Sequence, residues 1–294
     1  MPHVIIKHSL WLVALLAVAV WGVVSDVDPP TKMVLIAVCV FLIVKWQALR
    51  NRPSSELSLS ARSVVAWYIL VPTLDASRFL NAKLPADQRP SLKQWRFAVT
   101  KTLAGGLLFS VAAPAFLGKS IWLAGWLGMI GIVLMLHFGM LELIVLFWRS
   151  SGRDIRPLMM NPLAATSLSD FWGRRWNTAF RDFAHEQIFR PLCRRWNPKA
   201  ATLASFMFSG FIHELAISVP AGAGYGLPFA YFALQSFGIA LERSAAVRGW
   251  PIRSGVCGWL FAALFLIVPA GLLFHSAFVR NVIVPLISHE HRIR

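Results

Sequence analysis

Residues Ile121–Phe147 read IWLAGWLGMIGIVLMLHFGMLELIVLF. An α-helix needs about 20 predominantly apolar residues to cross the hydrocarbon core of a bilayer, and this run is longer. Its ionisable residues are His137 and Glu142. The segment therefore predicts a membrane-spanning helix, and the fold class depends on the segments that flank it.

Comparable apolar segments lie on both sides: Val4–Val24, Met33–Ala48, Phe97–Leu117, Ala200–Val219, Leu227–Leu241 and Val256–Phe278. No A-x-A site follows the first, so we expect a retained span and not a cleaved signal peptide. Val64–Leu80 contains Pro72, Asp75 and Arg78, and a mid-bilayer charge costs about 2.5–3.5 kcal/mol. We interpret it as interfacial or re-entrant, with an extra span as the alternative. The sequence predicts an all-α, polytopic integral membrane protein with about seven to eight transmembrane helices.

Composition and charge agree with this class. Of the 294 residues, 57% are hydrophobic and 14% are charged, against about 25% charged in soluble domains. The net charge of +16 would suggest nucleic acid in a soluble protein, but here the basic residues lie between apolar runs, where the positive-inside rule places them. We therefore expect anionic lipid or an anionic cosubstrate as partner, and no nucleic acid.

The distribution of basic residues also predicts the orientation. With a cytoplasmic N-terminus, most of the 29 Lys and Arg residues fall on the cytoplasmic side, as the positive-inside rule requires. In a bacterium the protein would lie in the inner membrane. The exceptions are Lys32, Lys119, Arg280, Arg292 and Arg294.

The chain shows neither a dividing linker nor an internal repeat, so we predict one membrane-embedded domain over residues 1–294 with its core motifs at about 165–220. Cys39, Cys193 and Cys257 form no CxxC pair. The His-Glu pairs at 185 and 213 lack the second histidine of H-E-x-x-H, since Phe189 and Ile217 occupy its position. No metal site is predicted.

The long polar loop Arg149–Lys199 contains Leu168–Asn177, LSDFWGRRWN. Its aromatic and small residues recur at helical spacing, so we predict an amphipathic helix from Asp170 to about Phe189 in the membrane interface. A purely structural anchor is the alternative. The residues on its apolar face would be Trp172, Trp176, Ala179, Phe180 and Phe183.

The next apolar segment contains Ser209–Leu215, SGFIHEL. Ionisable residues inside a span are expensive, so His213 and Glu214 indicate a functional site. A helix histidine satisfied by a neighbouring group is the alternative for His213. Because adjacent helical residues point in different directions, we expect the two side chains to have separate partners.

Together the two stretches resemble the membrane-bound O-acyltransferase superfamily, most closely its wax-synthase-like branch. The resemblance implies that His213 is the catalytic histidine and Asn177 the motif asparagine, with Trp172 and Trp176 as the motif aromatics. It also implies a reaction without a metal or a covalent acyl-enzyme. The run from Trp67 through Pro72 and Asp75 to Leu80 is similar to the branch in a less specific way.

This chemistry suits the residue types. A histidine can remove the proton of an alcohol that attacks a thioester, and an amide can stabilise the oxyanion that forms. Arg174, Arg175 and Arg181 are candidate contacts for the phosphates of acyl-CoA, with positive-inside topology as the alternative. We expect acyl-CoA as co-substrate, no bound cofactor, and an acceptor alcohol dissolved in the bilayer.

Other functions remain open at this point. Within the superfamily, a short acyl group could be transferred to a polyol or glycan. A transporter or lipid-binding subunit without chemistry would show matched broken helices in its two halves, which the sequence lacks. A diverged scaffold without activity is disfavoured by the presence of both Asn177 and His213.

Overall fold

The computed structural model describes residues 2–50, 61–247, 249 and 252–292. Apart from an isolated bridge between Lys83 and Arg153, the regular structure of these residues is helical, which confirms the predicted fold class. The α-helices are α1 (Pro2–Val24), α2 (Pro29–Arg50), α3 (Ala61–Leu70), α4 (Ala76–Asn81), α5 (Leu92–Leu107), α6 (Ile121–Ile132), α7 (Leu141–Ser150), α8 (Leu168–Asp170), α9 (Thr178–Ala184), α10 (Arg190–Arg195), α11 (Pro198–His213), α12 (Val219–Ala221), α13 (Leu227–Val247), α14 (Gly255–Ile267), α15 (Ala270–Leu273), α16 (Ser276–Phe278) and α17 (Val284–Arg292).

Five helical stretches among the described residues are long and apolar enough to cross a membrane. They are Pro29–Arg50, Ala86–Phe116, Ile121–Ser150, Pro198–Ala221 and Gly255–Leu273. Each overlaps a span predicted from the sequence, so the protein is polytopic. The predicted first and sixth spans are helical as well, as α1 and α13, but lie outside this group. The total of about seven to eight spans stays a prediction.

The segment Val64–Leu80 is a broken helix. Helices α3 and α4 have 10 and 6 residues, and each is too short to cross the bilayer. The break contains Pro72, and the Asp75 carboxylate accepts a hydrogen bond from the Arg78 amide at 3.2 Å to start α4. Pro72 and Asp75, two of the residues that argued against a span, thus lie where the helix is interrupted.

Lys45 of helix α2 caps the carboxyl end of helix α3. Its amine donates hydrogen bonds to the carbonyls of Trp67, Tyr68 and Val71, and its side chain is fully buried. These carbonyls belong to the last turn of α3 and the residues after it, where a helix leaves its acceptors unpaired. Lys45 therefore caps a helix, whereas the sequence analysis counted it only as topological charge.

The helices pack into two compact units. The first comprises Met1–Trp21, Val38–Leu158 and Val282–Arg294. In it, helix α5 and the helix that starts with α6 approach each other at glycines. A side chain at Gly131 would lie 2.8 Å from the Phe109 amide and 2.9 Å from the Gly105 carbonyl. Such contacts, typical of membrane helices, need residues without a side chain.

The second unit comprises Gly22–Ala37 and Met159–Asn281, and it contains every site residue predicted from the sequence. Helices α11 and α13 pack side by side, with Gly210 of α11 against Phe229 of α13. A buried cluster of Leu168, Ile239 and Ala262 joins α8, α13 and α14. The prediction of a single domain over the whole chain stays a prediction.

Candidate active site

The LSDFWGRRWN segment is not part of one continuous helix. Helix α8 continues as a π-helical turn, Phe171–Arg175, and the chain leaves helical geometry at Trp176 and Asn177 before α9 begins. The predicted helix from Asp170 to about Phe189 is therefore wrong. The apolar spacing was compatible with a helix on both sides of the break, so periodicity alone did not reveal it.

Asn177 forms the corner of this break. Its backbone is left-handed, with φ 38° and ψ 64°, and its side-chain Oδ1 accepts a hydrogen bond from the Phe180 amide at 3.2 Å. Asparagine tolerates left-handed geometry and is a preferred N-cap residue, so one side chain suits both requirements. Because Oδ1 accepts this bond, the amide Nδ2 is the end of the side chain that can donate.

Asp170 organises the arginines of the motif. Its buried carboxylate pairs with Arg174 at 3.2 Å and with Arg175 at 2.5 Å. Arg175 also donates to the carbonyls of Met160 and Asn161 at 3.3 and 3.2 Å. Arg175 thus joins the loop before the motif to the motif itself.

The three arginines predicted as phosphate contacts therefore differ in their surroundings. The Arg181 guanidinium donates to the Gly173 carbonyl at 2.7 Å and pairs with Asp182, so it bridges the break. Only 28% of the Arg175 and Arg181 side chains is exposed, against 80% of the Arg174 side chain. Among the three, Arg174 is the most accessible to a ligand.

A cavity of about 570 Å³ opens beside this segment. Three guanidinium groups line it together with one carboxylate and two hydroxyl side chains, so the lining favours an anionic ligand. The lining residues are Thr166, Ser167, Asp170, Arg174, Arg175, Gly249 and Arg253. Arg253 was not among the predicted site residues.

His213 is the last residue of α11, and the π-helical turn Glu214–Ser218 follows it. Its Nδ1 lies 2.7 Å from the Ser209 carbonyl oxygen. Since a carbonyl can only accept, Nδ1 carries the proton, and in the neutral ring Nε2 holds the lone pair. Turns of the π type within α-helices are frequent at functional sites.

Glu214 has its own partner. Its carboxylate is buried and accepts a hydrogen bond from the Gly226 amide at 2.7 Å. The expectation that His213 and Glu214 interact with separate groups is confirmed, because the first contacts its own helix and the second the loop before α13.

Trp172 and His213 both contact one aromatic residue, Phe232. The His213 ring lies 4.6 Å from the Phe232 ring, and the Trp172 ring lies 5.7 Å from it. Trp176 stacks on Phe171 at 5.4 Å. The structure therefore connects the first motif tryptophan to the histidine through α13, whereas the second stacks on a phenylalanine of the motif.

Helix α13 contributes residues that the sequence analysis missed. Gln235 accepts a hydrogen bond from Trp172 Nε1 at 3.1 Å and donates to the Phe265 carbonyl at 2.7 Å. Glu242 accepts from the Leu168 amide at 2.7 Å. The available signal was their spacing, because polar residues seven positions apart lie on one face of a helix.

This region is similar to known proteins. Residues 155–234 match the Membrane bound O-acyl transferase family. The chain is 32% identical over 152 residues to the probable long-chain-alcohol O-fatty-acyltransferase 7 of Arabidopsis thaliana, and the alignment covers 47% of this chain and 44% of that protein. It is 34% identical over 146 residues to the long-chain-alcohol O-fatty-acyltransferase of Simmondsia chinensis, covering 44% and 40%.

A match that extends over more residues has a lower identity. The probable long-chain-alcohol O-fatty-acyltransferase 3 of Arabidopsis thaliana is 26% identical over 219 residues, covering 70% of this chain and 63% of that protein. The chain thus spans less than two thirds of the length of these relatives. The matched family segment contains the broken motif, the cavity's Asp170 and Arg174, and His213. Through this segment the chain is similar to the Membrane bound O-acyl transferase family and to the long-chain-alcohol O-fatty-acyltransferases.

Proposed function

We propose that this protein transfers an acyl group from acyl-CoA to the hydroxyl of a lipophilic alcohol, with a wax-type ester as product. The observation that carries the proposal is the imidazole of His213, which lies in an apolar helix with Nδ1 directed at the Ser209 carbonyl. The names of the relatives support a long-chain alcohol as acceptor and a fatty acyl group as the group transferred.

His213 acts as the general base in this reaction. Its Nε2 takes the proton from the alcohol while the alcohol oxygen attacks the thioester carbonyl. The tetrahedral intermediate then collapses, the carbon–sulfur bond breaks, and the proton passes from His213 to the departing thiolate of coenzyme A. The Phe232 ring against the imidazole restricts its rotation and keeps Nε2 in place.

Asn177 supplies a donor for the oxyanion. The Phe180 amide occupies Oδ1, which fixes the orientation of the side-chain amide and leaves the donation to Nδ2. A preorganised donor of this kind contributes about 2.7–4 kcal/mol to the stabilisation of a transition state. Trp172 and Trp176 contact the substrates as the aromatic part of the motif.

The donor's phosphates bind in the cavity beside the motif. Acyl-CoA is a polyanion, and Arg174, Arg175 and Arg253 line this cavity. Guanidinium groups suit phosphate because their fork of donors can form two parallel hydrogen bonds. Arg181 acts indirectly, through the bond that it donates to the Gly173 carbonyl. Coenzyme A leaves after each turnover and is a co-substrate, with no bound cofactor required.

The two substrates enter from different phases. Acyl-CoA is made in the cytosol, so the motif segment faces the cytoplasm, in agreement with a cytoplasmic N-terminus and with the basic residues of 149–199. The alcohol enters from the bilayer. In a bacterial cell the enzyme would lie in the inner membrane.

The test compares wild type with His213→Ala in lipid, with labelled palmitoyl-CoA and a panel of long-chain alcohols, sterol, diacylglycerol and polyols. The matched control is His185→Ala, which removes another histidine that precedes a glutamate but is exposed. We expect ester from wild type and from the control, and none from a folded His213→Ala. Full activity of His213→Ala would refute the base assignment. Acylation of the polyols alone would favour a hydrophilic acceptor, and no product from any acceptor would favour a protein without chemistry.

A further inference from the structure

Glu242 is a fully buried carboxylate on α13. One of its oxygens, Oε2, accepts hydrogen bonds from the backbone amides of Leu168 at 2.7 Å and Ser169 at 3.1 Å. A buried charge is costly unless it is paired and hydrogen-bonded. The two amides are the first of α8, so the carboxylate holds the residues at which the motif segment begins.

The other oxygen of Glu242 contacts a residue that lines the cavity. Oε1 pairs with the Arg253 guanidinium at 3.4 Å, and Arg253 lines the cavity with half of its side chain exposed. One carboxylate therefore contacts both the backbone of the motif and a cation of the cavity. Removal of the partner of a buried carboxylate usually destabilises a protein, which makes this arrangement sensitive to single substitutions.

A displacement of the backbone that Glu242 holds would also move the other two cations of the cavity, Arg174 and Arg175. Asp170 lies two positions after Leu168, and its carboxylate holds the guanidinium groups of Arg174 and Arg175. If the start of α8 moves, Asp170 and both arginines move with it. The positions of three cavity cations thus depend on Glu242, two through the backbone and one by direct contact.

We propose that Glu242 is a positioning residue that sets the affinity of the cavity for the acyl donor by anchoring the start of the motif segment and aligning Arg253. The inference rests on the proposed function, because that function supplies the donor. Glu242 and Arg253 both lie outside the matched family segment 155–234. Glu242 does not touch the reacting atoms in this proposal and acts through the groups that it holds.

The test uses Glu242→Ala and Glu242→Gln in the full-length protein in nanodiscs. Glutamine places an amide oxygen where Oε2 lies and can still accept from both backbone amides, whereas alanine accepts from neither. Hydrogen exchange measured by mass spectrometry reports directly on the amides of 168 and 169. Binding of coenzyme A and the KM values of acyl-CoA and alcohol report on the cavity.

We expect Glu242→Ala to speed exchange at residues 168 and 169, to weaken coenzyme A binding by about tenfold or more, and to raise the KM of acyl-CoA but not that of the alcohol. Glu242→Gln should keep exchange at 168 and 169 close to wild type, because the acceptor and not the charge holds the backbone. It should weaken coenzyme A binding less than Glu242→Ala does, because it loses only the ion pair with Arg253. Unchanged exchange and binding in Glu242→Ala would overturn the proposal, as would equal losses in the two variants.

Arg253→Gln keeps the inference testable if Glu242→Ala does not fold. This variant leaves both amide bonds of Glu242 in place, so it should weaken coenzyme A binding without faster exchange at 168 and 169. The matched control is Arg243→Gln, which removes an exposed cation next to Glu242 and should bind as wild type does. Unchanged binding in Arg253→Gln would overturn its role in the cavity. A wild type that binds no coenzyme A would refute the proposed donor, while the exchange data would still decide whether Glu242 anchors the segment.

Discussion

Asn177 combines a structural and a proposed chemical role, and three substitutions separate them. Alanine should lose both, because a left-handed backbone costs an alanine about 1–2 kcal/mol and the loss of an N-cap costs about 0.5–2 kcal/mol. Aspartate retains the cap oxygen and the tolerance for φ 38°. Glycine has no penalty at this φ and loses only a few tenths of a kcal/mol as a cap.

The chemical role has a different signature. Aspartate and glycine both lack the amide donor, and the loss of one oxyanion donor lowers kcat by about 100- to 1000-fold. We therefore expect Asn177→Asp and Asn177→Gly to unfold within about 1 kcal/mol of wild type and yet to lose at least about 100-fold in kcat. Asn177→Ala should in addition be destabilised by about 1.5–4 kcal/mol, the sum of the two costs.

The assay is ester formation from labelled palmitoyl-CoA and a long-chain alcohol at saturating substrate, with thermal unfolding measured on the same samples. Asn161→Asp is the matched control, since Asn161 is the other left-handed asparagine of the described residues, with φ 51°, and its side chain makes no cap hydrogen bond. It should keep wild-type activity. If Asn177→Asp retains a third or more of the wild-type kcat, the amide contributes no donor and Asn177 only shapes the turn.

Two further outcomes are expected. Lys45→Met removes the amine that caps α3 and should lower the free energy of unfolding by about 1–3 kcal/mol, the cost of unpaired buried carbonyls. Chemical denaturation in micelles measures this free energy, and Lys93→Met at an exposed site is the control. Equal stability of the two variants would contradict the capping role. In a variant without the three native cysteines, Lys199→Cys should react with a membrane-impermeant maleimide from the cytoplasmic side and Tyr225→Cys from the opposite side. The reason is that the stretch Pro198–Ala221 between them is long and apolar enough to cross the membrane. The reverse pattern would invert the proposed orientation.

Hydropathy predicted the spans because the bilayer imposes a length and a composition on any helix that crosses it. All five stretches that the structure identifies overlap predicted ones. Most boundaries differ by a few residues, but the stretch Ala86–Phe116 begins eleven residues before the predicted Phe97. The interruption of Val64–Leu80 was also foreseeable, since Pro72 and Asp75 favour the end of one helix and the start of another.

The break at Asn177 was not predicted, because periodicity records which residues are apolar and not whether the backbone between them is continuous. Trp172 and Phe183 both face apolar neighbours, but they belong to helical segments on opposite sides of the corner. An asparagine after a tryptophan-rich turn gave only a weak local signal for left-handed geometry.

The contribution of α13 depended on tertiary packing. Gln235 and Glu242 accept hydrogen bonds from Trp172 and Leu168, which lie more than sixty positions away in the sequence, and no local pattern specifies such a partner. A carboxylate within an apolar helix does indicate a function or an ion pair. Together with the seven-residue spacing of the two polar residues, this was the signal that the sequence offered.

The anchoring of the motif by α13 limits where chimeras between related proteins can be joined. The segment 155–234, matched by the family, ends one residue before Gln235. A chimera made at its borders would combine the motif of one protein with the α13 residues of the other that hold the motif in place. Trp172 would then meet whatever residue the recipient has at position 235, and the amides of 168 and 169 whatever it has at 242. The smallest transferable unit that keeps these contacts runs from 155 through 265, which includes the Phe265 carbonyl that fixes Gln235.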